Sequence, residues 1–421
     1  MSPPFRTTRS REGKKPFVPG TARSAMQYRD FRRMWWGSFL SNVGSWMQNV
    51  VLPAYIYNRT EQAWIVGLFM VAQLGPLLVL SIPGGVIADR YDRRRWLAGA
   101  QGMQLAFSLG LALCAALDST ITLLFIMQLG VGVGNALNAP AFGATLPSLV
   151  PPEDLPGAVS LNSVIIQGSR VVGPILVAIL LGFGLEPWHV FLFNALTYVF
   201  VIVAILSVTI PHHNPPPEEG WRSLTLGFRF AKERPVIGRV LLSMTTFSFI
   251  CLAHVGLFPA VAELNYGIDA ESSTYQWLYS IWGLGAMFGA LSVSTVFSRI
   301  DKRSSARNGF VAFGVALLAF NFASGHVMVF TTGFILGFFY FVTTTSLFTV
   351  LQARLDHAIR ARVIALWYMA FGGVVPISSI VFGPVVDAVG PRLVLVAGSA
   401  WAFVLFRWCD IARMEKKLQV S

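Results

Sequence analysis

The stretch AWIVGLFMVAQLGPLLVLSIPGGVIADRYDRRRWLAGAQGMQLAFSLGLALCAAL, residues 63–117, decides the fold. Two apolar runs, 63–87 and 96–117, flank a short polar break that carries Asp89, Arg90, Asp92, Arg93, Arg94 and Arg95. Each run is long enough to cross the roughly 30 Å hydrocarbon core of a bilayer, which takes about 20 residues of α-helix. The pair therefore reads as a transmembrane hairpin that leaves its arginines on one membrane face.

The same rhythm continues in both directions. Cutting the chain at polar and Pro/Gly breaks gives twelve apolar runs, at 35–57, 63–87, 96–117, 121–147, 157–183, 188–210, 237–261, 274–297, 308–325, 327–352, 363–386 and 391–411. Only 12% of the 421 residues are charged and 54% are hydrophobic, against about 25% charged in a soluble domain. A water-exposed surface needs more charge than that, so most of the surface must face lipid. The run from Trp35 to Tyr57 is too long for the apolar core of a signal peptide and is followed by many more, so it reads as the first span.

A net charge of +12 raises the question of nucleic acid. The cations, however, cluster between apolar runs, which is how membrane topology is encoded. With the N-terminus inside, 29 of the 32 Lys and Arg fall in cytoplasmic segments; only Arg59 and Arg392 lie outside, and Arg170 lies in a span. Both termini are therefore expected in the cytoplasm. Cys114, Cys251 and Cys409 lie in or beside apolar runs at no metal-binding spacing and read as small apolar fillers.

The longest internal polar stretch, from Pro211, begins PHHNPPPEEGW and splits the spans six and six. His212 and His213, beside three prolines, read as part of a solvated linker rather than a metal site. The expected organisation is a mobile basic cytoplasmic tail over 1–30, an N-terminal six-helix bundle over 31–210, a linker over 211–236, a C-terminal bundle over 237–412 and a short tail over 413–421. A repeat supports the division. Residues 89–94 (DRYDRR) and 298–303 (SRIDKR) match in charge type at four positions, and Gly173-Pro174 is echoed by Gly383-Pro384 at nearly the same offset. Matched halves facing a midplane cavity are a transporter architecture.

The stretch Gly85-Val-Ile-Ala-Asp89-Arg90-Tyr-Asp-Arg93-Arg94-Arg95 resembles the loop 2–3 signature of the major facilitator superfamily. Gly130-Val-Gly-Val-Gly134-Asn-Ala-Leu-Asn-Ala-Pro140-Ala-Phe142, Leu146-Pro-Ser-Leu-Val150-Pro-Pro-Glu153-Asp-Leu, Ala158-Val-Ser-Leu161-Asn162-Ser163 and Arg170-Val-Val-Gly173-Pro174 resemble the branch that holds catecholate siderophore exporters and macrolide-efflux-like proteins. So do Leu226-Gly227-Phe-Arg229-Phe230 and Arg234-Pro235, and the likeness runs from about Tyr28 to Arg413. It implies an all-α membrane protein of twelve transmembrane helices in two pseudo-symmetric six-helix bundles. It also implies alternating access and export of amphipathic organic compounds, siderophore-like or drug-like, against inward proton flow at a bacterial inner membrane. The chain departs from the superfamily in three places. No basic residue occurs from Phe125 to Gly130 in span 4, Ser298 stands where the first half has Asp89, and span 5 has Gly168, Gly173 and Pro174 without a longer glycine ladder.

Several side chains are candidates for the work. Gly85, Asp89, Arg90, Arg93 and Arg94 form a conformational latch on the superfamily reading, and a topogenic positive loop on the plainer one. Arg170, a cation inside a span, needs a partner because a charge at the helix centre costs about 2.5–3.5 kcal/mol. It either contacts an anionic or catechol-like substrate or pairs with Asp89 or Glu153, with Gly173 and Pro174 shaping the helix beside it. Asn42, Gln48, Asn49, Gln128, Asn135 and Asn138 either line a cavity or join helices. His254, Glu263 and Asp387 are the proton-coupling candidates; the alternative places Glu263 and Asp387 on a solvated rim and His254 in a hydrogen-bonded interior. The aromatics crowded into spans 7 to 10 are mainly packing, with a minority suited to walling an apolar cavity.

The resulting expectation is a secondary transporter, not an enzyme, that works without a cofactor or metal and draws on an ion gradient, with protons as the coupling ion. Its partners are a small organic substrate and the bilayer, not nucleic acid, and it acts as a monomer. An uncoupled facilitator and a non-transporting scaffold or sensor are the rivals.

Overall fold

Hydrocarbon supplies no hydrogen-bond partner for a backbone, so each spanning segment must satisfy its own N–H and C=O groups. The computed structural model, which describes residues 18–88, 91–210, 228–355 and 357–420, meets that condition with helices and, among those residues, no strand. The first seven are α1 (Ala22–Ala25), α2 (Arg29–Thr60), α3 (Ala63–Ala88), α4 (Arg93–Ala116), α5 (Ile121–Thr145), α6 (Leu155–Gly182) and α7 (Pro187–Ser207). Then come α8 (Pro235–Thr246), α9 (Ala253–Gly256), α10 (Phe258–Tyr266), α11 (Ser273–Ser294), α12 (Lys302–Asn321) and α13 (His326–Gln352). The last are α14 (His357–Tyr368), α15 (Val374–Val389), α16 (Pro391–Trp408) and α17 (Ile411–Val420).

Among the described residues, nine helical stretches are long and apolar enough to cross a membrane. The other three expected runs are helical as well. Run 35–57 lies in α2, where Ser38, Ser41, Asn42, Ser45, Gln48 and Asn49 dilute its hydropathy; run 308–325 falls mostly in α12, whose first turns are polar; run 237–261 is interrupted. Large apolar side chains such as Phe200, Val203, Phe288, Val315 and Val327 are exposed, as a lipid-facing surface requires.

Helix ends follow from local chemistry. Asp92 accepts from the Arg95 N–H at 2.8 Å and starts α4, and Asp301 accepts from the Arg303 N–H at 2.9 Å and starts α12. These aspartates occupy matching places in the internal repeat, so the echo in sequence is an echo of N-caps. The Arg303 side chain also hydrogen-bonds Asp301 and holds its carboxyl below the ordinary carboxylate range.

The chain divides into two compact units, residues 1–51 with 75–218 and residues 52–74 with 219–421. The division is not the simple one at the linker: the segment 52–74, which includes the start of α3, groups with the later helices. In the first unit Gly173 has room for no side chain, since a Cβ there would lie 2.7 Å from Trp46 Cβ and 3.1 Å from the Met47 nitrogen. The Trp35 indole donates to the Leu161 carbonyl at 2.9 Å. Residues 18–30, expected within the tail, are ordered in the structure. Asp154 accepts from the Gly20 N–H and the Tyr28 hydroxyl, both at 2.8 Å, and Thr21 caps α1. Burial, with Asp154 alongside, pushes the Tyr28 phenol up to about 12.

In the second unit α11 and α13 pack backbone to backbone. A Cβ on Gly285 would meet the Phe334 carbonyl oxygen at 2.0 Å, on Gly289 the Phe338 oxygen at 2.1 Å, and on Gly337 the Trp282 oxygen at 2.1 Å. Small residues four apart are the membrane's way of bringing helices close. The Phe247 ring sits edge-on to Phe310 and Phe313, and Trp282 stacks on Tyr340. Glu415 on α17 pairs with Arg303 at 2.6 Å and with Arg354, and Arg307 pairs with Asp410 at 3.2 Å, which ties the last helix to α12 and to the end of α13. Gly289→Val should lower stability by about 1–3 kcal/mol, the usual range for overpacking. Thermal unfolding of the detergent-solubilised variant checks this, with a wild-type melting temperature as the contrary result.

Candidate functional site

The amides of the first unit separate into two sets. Gln48 on α2 donates through Nε2 to Gln128 Oε1 on α5 at 2.9 Å. Its own Oε1 accepts from Ser108 on α4 at 2.9 Å and from Asn194 on α7 at 2.6 Å. All four residues are buried. Gln48 and Gln128 therefore join four helices, and Ser108 and Asn194 are members that the sequence did not single out. Asn42 donates to the Ser38 carbonyl of its own helix at 2.9 Å. Asn42, Asn49, Asn135 and Asn138 are all half-buried, and the Asn138 Oδ1 is a buried acceptor with no hydrogen-bond partner among the described residues.

Arg170 on α6 is half-buried, and its guanidinium lies over the Trp46 ring of α2, 5.2 Å from the centroid. A partly desolvated cation on an indole face gains about 1–2 kcal/mol, which offsets part of the insertion cost. Gly173, three residues on, allows the contact by bringing α6 against the Trp46–Met47 backbone; Pro174 follows inside the helix. Trp46 was not anticipated as a partner, and its only signal in the sequence is its place in the first span.

Of the loop 2–3 residues, Asp89 and Arg90 lie outside the described residues. Gly85 is in the last turn of α3, and Arg93 and Arg94 are the first residues of α4, Arg94 exposed.

The second unit holds the proton-coupling candidates in three different environments. The first expected span of this unit is broken: α8 gives way to a π-helical turn at Phe247–Cys251 and then to α9 and α10. A second π turn, Met369–Gly373, separates α14 from α15. The two breaks face each other, since Ser378 Oγ donates to the Phe249 carbonyl at 2.6 Å and Ser248 Oγ to the Phe371 carbonyl at 3.2 Å. His254 sits just past the first break and is 2% exposed. Its Nδ1 donates to the Cys251 carbonyl at 3.0 Å, and its Nε2 is a buried acceptor without a partner among the described residues. Phe313 packs against the imidazole. Gln276, the one amide of run 274–297, is fully buried, and neither its Oε1 nor its Nε2 has a partner among the described residues.

Glu263 lies on α10, half-buried. Burial raises its carboxyl above the ordinary range, with the neighbouring Asp269 and Glu61 adding to the shift and a hydrogen bond from the Ala270 backbone opposing it. Asp387, near the end of α15, accepts from the Ala63 N–H at 2.6 Å and the Trp64 N–H at 3.2 Å. It is an exposed residue that caps the start of α3. The three free cysteines are buried, as expected of fillers. Among the described residues no group of three or more His, Cys, Asp or Glu could hold a metal.

Solved structures share this fold. A nucleoside transporter, NupG, superposes with a TM-score of 0.74 at 14% identity over 91% of this chain and 99% of its own. A bacterial homologue of the iron transporter ferroportin gives 0.70 at 15% identity over 91% and 99%. The molecule is a multi-pass membrane protein with the twelve-helix fold of the major facilitator superfamily, a transporter and not an enzyme. The chain belongs, over residues 21–419, to the transmembrane secretion effector family of that superfamily. Among its curated relatives, the enterobactin exporter EntS of Shigella boydii serotype 4 and that of Escherichia coli O6:K15:H31 are each 28% identical over 342 residues, 80% of either chain.

Two outcomes are expected from these environments. Gln48→Leu strands the amides and hydroxyl of Gln128, Asn194 and Ser108, and should cost about 1–3 kcal/mol of stability. Transport KM should stay unchanged, because no member of the cluster is exposed; thermal unfolding and initial rates on one preparation check both. For Glu263, a folded-state pKa raised above the free value of about 4.3 gives stability that is fully present below that value and lost as pH rises through the folded pKa. Glu263→Gln should therefore flatten the rise in melting temperature on acidification, and an unaltered profile would count against the desolvated carboxyl.

Proposed function

We propose that the chain is a secondary active exporter of an amphipathic organic compound, siderophore-like or drug-like, working by alternating access and exchanging substrate for protons. Its place is the bacterial inner membrane with both termini cytoplasmic, which puts 29 of 32 cationic residues on the inner side. It acts as a monomer, draws on the ion gradient and needs no cofactor. The observation that carries the reading is similarity to enterobactin exporters over 80% of both chains, within a secretion family that spans nearly the whole sequence. The Arg170–Trp46 pair supports it, since a cation held against an indole suits an anionic or electron-rich aromatic substrate.

An uncoupled facilitator is the second reading. It is favoured by the placement of the coupling candidates: His254 is sealed by aromatic packing, and Glu263 and Asp387 lie at helix ends.

Reconstituted protein in liposomes with a trapped pH indicator and an imposed pH gradient separates the two. Catecholates, hydroxamates and lipophilic cations are added in turn. Export against protons gives substrate-dependent proton flux, and Arg170→Leu should reduce it by at least about tenfold if the guanidinium meets substrate. Equilibration of a labelled compound with no proton movement would establish the facilitator instead.

A further inference from the structure

The contact between α3 and α15 joins one helix start to a distant carboxylate. The first N–H groups of any helix have no partner within it and carry a partial positive charge. In α3 the residue before the first turn does not supply a cap: the Gln62 side chain accepts from the Trp64 indole at 2.8 Å. The two leading N–H groups go instead to one carboxylate more than 300 residues away, Asp387, one to each oxygen. The loop that presents them is short and constrained, with Glu61 in the left-handed region at φ 51°.

Below that cap the two helices touch without intervening side chains. A Cβ on Gly383 would lie 2.6 Å from Trp64 Cα, and one on Gly67 would lie 2.8 Å from the Ser379 carbonyl carbon. Ser379, Gly383 and Asp387 are four residues apart and form one stripe on α15. The stripe meets Ala63, Trp64 and Gly67, so the order runs from a dry small-residue seam up to a charged clasp at the helix end.

The division of the chain gives this clasp its meaning. Residues 52–74 group with the second unit and residues from 75 with the first, so the boundary falls inside α3. Gly75-Pro76 stands at that boundary. A proline inside a helix removes one backbone hydrogen bond and a glycine weakens the turn beside it, which makes this the natural place for α3 to bend.

We propose that Asp387 is a conformational latch: its carboxylate, seated on the N-terminus of α3, holds the first three turns of that helix on α15, and the transport cycle releases them about Gly75-Pro76. The proposal rests on the transporter reading above and deepens it. With both termini cytoplasmic the latch lies toward the external side. Asp387 acts through its two oxygens as an acceptor for backbone N–H groups, not as a carrier of protons. Tyr57, which feels the charge of Asp387 together with those of Glu263 and Glu61, does not have to titrate for it to work.

That assignment makes Asp387→Asn and Asp387→Ala behave differently. Asparagine caps helices nearly as well as aspartate and alanine does not, whereas neither can carry a proton as a carboxylate does. Full-length protein in nanodiscs is followed by hydrogen–deuterium exchange over the peptide spanning residues 61–68, and in liposomes by transport of whichever probe the wild type moves. Asp387→Ala should raise exchange at Ala63 and Trp64 by roughly three- to thirtyfold and slow transport, with Asp387→Asn within about threefold of wild type in both. A monodisperse, wild-type-like profile on size exclusion controls for folding.

Equal loss in the two variants would overturn the latch in favour of a proton role. Raised exchange in Asp387→Ala with unimpaired transport would overturn it in favour of a cap that serves the fold alone. The exchange readout needs no substrate, so a failed latch and a failed transporter assignment give different results.

Discussion

Everything in this molecule answers to a solvent that cannot hydrogen-bond. In hydrocarbon an unpaired backbone group costs several kcal/mol, so helices are the default and any departure from them has to be compensated where it occurs. The two π turns show how local that compensation is. At Phe247–Cys251 and Met369–Gly373 the regular ladder is interrupted, and a serine from the opposite element reaches a carbonyl in or beside each break. Cys251 Sγ and Ser399 Oγ also donate across helices, to the carbonyls of Gly398 and Gly314. Small hydroxyl and thiol side chains thus allow the second unit irregular helices inside a medium that forbids irregular loops. π turns are over-represented at functional sites, and here one of them delivers His254 with one ring nitrogen unpaired among the described residues.

Both units associate helices by means other than apolar burial, which gives no driving force when the surroundings are equally apolar. The first adds to glycine contacts such as that of Gly173 a polar hub, Gln48, whose two amide atoms engage three other helices. The second relies on close backbone approach between α11 and α13, with aromatic rings filling the space beyond. A hub of hydrogen bonds fixes one geometry, whereas a glycine seam permits sliding at small cost. The seam between α3 and α15 belongs to the second kind, and a charged clasp at its end adds the specificity that small residues lack.

The apolar runs were legible because each depends on a pattern that lipid enforces residue by residue. Apolar runs at 63–87 and 96–117 became α3 and α4 with ends shifted by a few residues. Partners were harder. Arg170 announced itself as a buried cation, but nothing along the chain says that an indole more than a hundred residues earlier will face it. Half of the hub was named among the cavity amides, and Ser108 and Asn194 were missed since a serine or asparagine in a span carries no mark of its neighbour. Asp387 was read as a coupling candidate or a rim acid, because from sequence a carboxylate at a helix end is the same object whether it meets water, a proton or another helix's N–H groups. The order of residues 18–30 was hidden for a similar reason: Asp154 lies far along the chain, and only the fold brings it to Gly20 and Tyr28.

The internal repeat shows what sequence symmetry does and does not specify. Asp92 and Asp301 repeat a residue and also its job, each opening the helix after the polar loop of its half. Gly173-Pro174 and Gly383-Pro384 repeat a residue pair and a physical purpose, close backbone approach, but not a partner. Gly173 meets Trp46 and Met47 on α2, whereas Gly383 meets Ala63 and Trp64 on α3. A glycine specifies only that another backbone can come near. The surrounding charges decide which one: beside Gly173 a cation lies on an indole, and beside Gly383 a carboxylate sits on a helix start. A repeated glycine–proline pair can in this way shape the setting of Arg170 in one place and seat a clasp in the other.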